Sequence, residues 1–152
     1  MLKLLKGGFS MNYCEEKYNA KRYIISLNEL NFFKELQKLI DAMDLNLLTQ
    51  VSLYSLIETK YKKYNYEEFN KIKSKSIDFV IADKKSCRAR LCIELDDTTH
   101  NSKSRKKRDN FLNELFESVN IKLLHIEVKE NYDEDIEIIK QTIIDVMSES
   151  EY

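Results

Sequence analysis

Three acids close an apolar run in the stretch CIELDDTTHNSKSRKKRD, residues 92–109: Glu94, Asp96 and Asp97. His100 follows, and then the basic residues Lys103, Arg105, Lys106, Lys107 and Arg108. In an extended segment, side chains two apart share a face, so Glu94 and Asp96 point the same way. A further acid, Asp78, lies inside the apolar stretch IDFVIAD, residues 77–83, where a lone carboxylate is costly to bury without a partner. The two stretches predict a hairpin joined by DKKSCR. A five-residue loop, Lys84 to Arg88, puts Asp83 opposite Ala89 and Asp78 opposite Glu94, with opposed Cα atoms about 4.5–5.5 Å apart. A six-residue loop would put the two acids on opposite faces.

Asp78, Glu94 and Asp96 gathered on one patch would repel one another and raise their own pKa values unless a cation held them. Mg²⁺ suits such a set: it takes carboxylate oxygens at about 2.0–2.1 Å, keeps several waters and leaves room for a phosphate. The chemistry implied is activation of a water and stabilisation of charge on a phosphodiester under attack, with Mn²⁺ as a substitute ion. Lys103, Arg105, Lys106, Lys107 and Arg108 would grip the polymer backbone, because phosphate contacts dominate nucleic-acid affinity. Each feature also has an ordinary reading. An acid at a strand end, such as Asp97, is commonly a turn or cap former. A basic first helical turn is commonly just solvated, although its charge opposes the helix dipole.

The elements that must position these residues are readable from period and turn chemistry. The chain has 152 residues, enough for one domain with one sizeable core. Residues 1–25 read as an N-terminal extension in which translation is expected to begin at Met11, 26–148 as the domain and 149–152 as a tail. Apolar residues make up 43% and charged residues 34%, the balance of a soluble globular protein, and a net charge of -1 gives no global attraction to nucleic acid. Any such attraction must come from local clustering. Cys14, Cys87 and Cys92 are odd in number and lack a Cys-x-x-Cys pair, which points to reduced thiols in a cytoplasm and away from structural zinc. The opening MLKLLKGGF is too short and interrupted to span a membrane.

Proline is absent and glycine occurs twice, so boundaries follow from polar clusters and changes of period. Ser26-Leu27-Asn28-Glu29 has the form of a capping box and predicts a helix, with Leu27, Leu30, Phe33, Leu36, Ile40 and Met43 as its buried stripe. LLTQVSLY, residues 47–54, alternates as a strand; residues 55–75 predict a short helix and a loop. IDFVIAD, ARLCIELD at 89–96 and KLLHIEV at 122–128 are strands apolar on both sides, the pattern of strands sandwiched between helices. Helices at 103–119 and 134–148 supply the covers. The fold class is therefore α/β, in the order helix, three strands, helix, strand, helix.

Together, ELNFFKEL, TQVSL, SKSIDFVIAD, IELDDTTHN, RDNFL and KLLHIEV resemble bacterial domains of unknown function grouped with the PD-(D/E)XK nuclease superfamily, near the very-short-patch-repair type of endonuclease. The resemblance spans roughly residues 26–128 and implies a restriction-endonuclease-like core, a mixed sheet of about four strands flanked by helices. It implies Mg²⁺-dependent cleavage of DNA, with Asp78 and Glu94 at the metal-binding acid positions and Asp96 where the superfamily usually has lysine. Without that lysine the attacking water needs another partner, for which Gln50 and Lys75 are the candidates. His100 and Arg108 match polar positions that contact the scissile phosphate or the leaving group. His125 stands where such relatives often show arginine, and within an apolar strand it reads as a hydrogen-bonded structural residue. Glu29 faces the site in some relatives, but its capping role already accounts for it.

DNA is the expected partner, with RNA left open; no membrane is expected, and a homodimer or a partner subunit stays open. Two other readings stand beside the nuclease. In one, the fold is kept as an inactive nucleic-acid-binding or assembly module. In the other, Tyr61, Tyr64 and Tyr66 belong to a segment that docks a partner or stacks on unpaired bases.

Overall fold

The computed structural model describes residues 17–60, 66–97 and 103–149, and the side chains of 103–105 are not described. The sequence readings at Met11, Cys14, Tyr61, Tyr64, His100 and the side chains of Lys103 and Arg105 lie outside the described residues. Elements run in the order α1 (Leu27–Ala42), β1 (Leu45–Ser52), α2 (Leu53–Leu56), α3 (Tyr66–Ile72), β2 (Ser76–Asp83), β3 (Ala89–Asp96), α4 (Lys103–Ser118), β4 (Lys122–Glu127) and α5 (Asp133–Glu149). The sheet order is β1-β2-β3-β4. The first two pairings are antiparallel and β3 pairs with β4 in parallel, joined by the crossover helix α4. This mixed, four-stranded open sheet between helices is consistent with a restriction-endonuclease-like core. Among the described residues no helix is long and apolar enough to cross a membrane.

Alternation along the strands builds two cores, one per face. Phe79, Ile81, Leu91 and Ile93 pack with Phe32, Leu36 and Ile40 of α1 and with Ile139 and Ile143 of α5. Val80 and Cys92 point the other way, onto Leu112 and Phe116 of α4 and onto Leu53, Ile57 and Ile72. Burial, reinforced by Glu94, pushes the Cys92 thiol up to about 12, so it behaves as a small apolar group. The α1 stripe lies differently from the spacing read off the sequence. Phe32 is fully buried, with its ring edge-on to Phe79 and Tyr132 at 5.2 and 4.9 Å, whereas Leu27 is 72% exposed and Leu30 also faces out. The cause is local: the capping box holds the first turn at the rim of the sheet, beyond the reach of the core. In the 55–75 region α3 supplies the expected short helix, and the end of the strand read at 47–54 turns instead into the short helix α2.

The β2–β3 turn also departs from expectation in a way that matters. Five residues do separate the strands, but Ala89 faces Ala82, not Asp83. A bulge follows, after which Ile81 faces Leu91, Val80 faces Cys92 and Phe79 faces Ile93. The extra residue is Arg90. Its guanidinium forks onto Asp83, with Nε–Oδ1 at 2.7 Å and Nη2–Oδ2 at 2.9 Å, and this holds the Asp83 carboxyl below the usual range. Such a two-pronged bond fixes geometry as well as charge. Without the shift, the Ala82–Ala89 register would carry Asp78 opposite Ile93 and destroy the pairing of acids.

Candidate active site

Beyond the bulge, the register continues to put Glu94 opposite Asp78. On the other side of β2, Gln50 lies opposite Asp78, between the pairs Thr49–Phe79 and Val51–Ile77. β4 completes the row, since Glu94 faces His125 in the parallel pair. Gln50, Asp78, Glu94 and His125 thus form a polar line across all four strands at one end of the sheet.

Gln50 is what distorts this end. Its φ of 52° is left-handed, an uncommon state for a side-chain-bearing residue in a strand. Past it the alternation reverses. Leu47 packs on the α1 face, whereas Val51 and its partner Ile77 join the α4-side core. Asp78 sits at that reversal, within reach of helices from both faces. One cavity of about 670 Å³ accordingly takes Ser26, Asn28 and Glu29 from α1 and its cap, Asp78 and Leu95 from the sheet, and Arg108 from α4, with Asp97 and Val128.

The hydrogen bonds at this end converge on the acids. Gln50 Nε2 donates to Glu29 Oε1 at 2.5 Å and to Asp78 Oδ1 at 3.2 Å, while Ser76 Oγ donates to Gln50 Oε1 at 3.2 Å. The Leu95 amide donates to Asp78 Oδ2 at 2.9 Å. Glu94 is 2% exposed, and Arg108 Nη2 donates to its Oε2 at 2.6 Å. Its other oxygen, Oε1, is buried without a hydrogen-bond partner. Burial first, and then the Asp78 charge, push the Glu94 carboxyl up to about 8; Arg108 works against both. Asp78 is raised as well, by burial and by the neighbouring charge of Glu29, although the Leu95 amide, Arg108 and Gln50 oppose the rise. Both carboxyls of the pair are thus held above their ordinary range, with burial as the first cause in each.

Not every candidate joins them. Asp96 Oδ2 lies 2.9 Å from His125 Nδ1, and His125 Nε2 lies 3.0 Å from Asn113 Oδ1 of α4. Asp96 is thus engaged by the imidazole that parallel β4 brings beside it, although its charge still helps to raise Glu94, and among the described residues the three acids are not gathered closely enough to hold one ion. His125 has the hydrogen-bonded role its apolar strand suggested. Lys75 does not reach the site: its Nζ donates to the Lys71 carbonyl and stands 5.3 Å from the Phe111 ring centroid. Gln50 does reach it. Glu29 carries out two tasks at once, since its Oε2 caps the Ser26 amide at 2.6 Å while its Oε1 takes Gln50. The resemblance pointed to this second task, but the capping pattern already accounted for the residue. Lys106 and Lys107 are exposed on α4.

Among the described residues, no group of three or more His, Cys, Asp or Glu side chains is gathered to hold a metal ion. Two carboxylates nevertheless fit a hard divalent cation that keeps most of its waters, and the unpartnered Glu94 oxygen is a donor such an ion would use.

Fold and site together define a mixed α/β protein with an acid pair at the open end of its sheet. The chain belongs to the family described as Protein of unknown function (DUF2726), which matches residues 21–147. No curated protein and no solved structure matches the chain.

Proposed function

We propose that this protein is a metal-dependent nuclease of the PD-(D/E)XK type that hydrolyses phosphodiester bonds in DNA. The observation that carries the reading is the Asp78–Glu94 pair, with Glu94 buried, reluctant to ionise and presenting an oxygen that nothing else uses. Asp78 and Glu94 would hold Mg²⁺ or Mn²⁺, which supplies a polarised water and charge stabilisation at the phosphate. Gln50 and the Leu95 amide fix the Asp78 carboxylate from two sides, so its orientation is set before substrate arrives. Glu29 lines the same cavity, where its carboxylate can accept the proton of an attacking water in place of the usual lysine. Lys106 and Lys107 bind backbone phosphates from the exposed side of α4.

A second reading rests on Asp96. The position where the resemblance leads one to look for lysine carries a carboxylate committed to His125, which suits a nuclease-like fold kept for nucleic-acid binding or assembly. One experiment separates the two. Purified protein is incubated with single-stranded, duplex and branched DNA, with Mg²⁺, with Mn²⁺ and with chelator. Cleavage that needs the ion and disappears in Asp78→Asn and Glu94→Gln supports the nuclease. Metal-independent binding without cleavage, weakened by loss of Arg105, Lys106 and Lys107, supports the module. Cleavage surviving both acid substitutions removes the roles given to these residues.

A further inference from the structure

The geometry points to Arg108 as a resident counter-charge that occupies Glu94 in the metal-free protein, competes with an incoming divalent cation for that carboxylate, and is released toward the substrate phosphate. This inference rests on the nuclease reading and adds a control step to it. Arg108 belongs to the basic run of α4, yet unlike exposed Lys106 and Lys107 it turns inward and meets Glu94 Oε2 at 2.6 Å. The two partners differ in exposure, the Arg108 side chain at 40% and that of Glu94 at 3%. The guanidinium therefore enters from the open cavity, the same cavity that Asp78 and Glu29 line. A planar fork that reaches a carboxylate from solvent matches a phosphate equally well.

Glu94 has charged or titratable neighbours from several elements: Asp78 from β2, Asp96 from its own strand, His125 opposite it on β4 and Arg108 from α4. Among the described residues Arg108 is the cation that contacts it, so a divalent ion and Arg108 cannot both neutralise Glu94 without repelling each other. A merely structural arginine would have the contrary effect: its removal would loosen the site and weaken ion binding.

The test measures Mn²⁺ binding directly, from the paramagnetic resonance signal of free Mn²⁺, in the wild-type protein, Arg108→Gln and Arg108→Lys, with folding checked by circular dichroism. Removing one positive charge at contact distance, discounted for its exposure, is expected to tighten Mn²⁺ binding roughly tenfold in Arg108→Gln, with Arg108→Lys close to wild type. Duplex DNA affinity in Ca²⁺ is expected to fall in Arg108→Gln. Wild-type binding of Mn²⁺ with equal or weaker binding in folded Arg108→Gln overturns the inference and leaves the nuclease reading standing. Absence of Mn²⁺ binding in both proteins overturns the two together. Should Arg108→Gln not fold, the wild-type protein decides: the Arg108 guanidinium resonance must move as Mg²⁺ saturates the site, and a resonance that stays fixed overturns the competition.

Discussion

Replacing Glu94 with glutamine should make the metal-free protein more stable, and more so as pH rises. The native Glu94 carboxyl is held at about 8, by burial first and by Asp78 next, against an ordinary value of 4.5. Between those values the folded protein retains a proton that the unfolded chain has released. Stability is therefore greatest below the unfolded value and declines as pH rises toward the folded one. At roughly 1.4 kcal/mol per unit, the loss accumulated by pH 8 is about 4 kcal/mol, an upper-end figure for a single buried group. For a domain of this size that corresponds to about 10 °C in Tm. Glutamine has nearly the same shape and no charge to desolvate, so Glu94→Gln should lose this slope. The assay is thermal unfolding by circular dichroism in chelator, from pH 5 to pH 8. The curves of the two proteins should nearly meet at the acidic end and separate at the alkaline end, with the variant above. Parallel curves, or a variant less stable at pH 8, would refute the claim that burial of this acid outweighs its contact with Arg108.

Three further outcomes follow from the same geometry. Gln50→Gly should be more stable than Gln50→Ala by about 1 kcal/mol in chemical denaturation, because both lose the side-chain bridge but only glycine accepts the left-handed φ of 52° without penalty; equal stabilities would mean that the backbone there is not strained. Phe32→Ala should cost about 3–5 kcal/mol in the same assay, since it empties the space between Phe79 and Tyr132, and a loss under 1 kcal/mol would show that the α1 face can collapse onto the hole. For Lys106→Ala with Lys107→Ala, the slope of log DNA affinity against log salt should become shallower by about 2 if each lysine neutralises one phosphate; an unchanged slope would place the nucleic acid elsewhere.

Much of the frame was legible because it depends on short-range rules. Ser26 and Glu29 form the capping box, in which the Ser26 hydroxyl accepts the Glu29 amide and the Glu29 carboxylate accepts the Ser26 amide. The doubly apolar strands 77–83 and 89–96 lie central in the sheet with a core on each face, as their lack of alternation required. The prediction that Asp78 stands opposite Glu94 rested on loop parity, and the register reaches that result by another route. It does so through four turn residues, Lys84 to Cys87, closed by the Asp83–Arg88 backbone bond, and a bulge at Arg90. The α1 stripe was misread at Leu27 because helical spacing reports which residues share a face and not how far along the helix the core extends.

The identities and alternation of residues determined by themselves that this chain makes an α/β sheet with acids near one end, since secondary structure and burial respond to patterns a few residues long. Only the tertiary structure decided which acids meet. Whether Asp78 faces Glu94 or Ile93 turns on one extra residue held by a fork to Asp83, and whether Asp96 joins them turns on an imidazole that parallel β4 brings from 29 positions away. Glu29 and Arg108 enter from opposite faces because α1 and α4 cover opposite sides of the sheet. Such contacts depend on register and crossover, which are settled by the packing of the whole sheet and leave no local mark on the segments that make them.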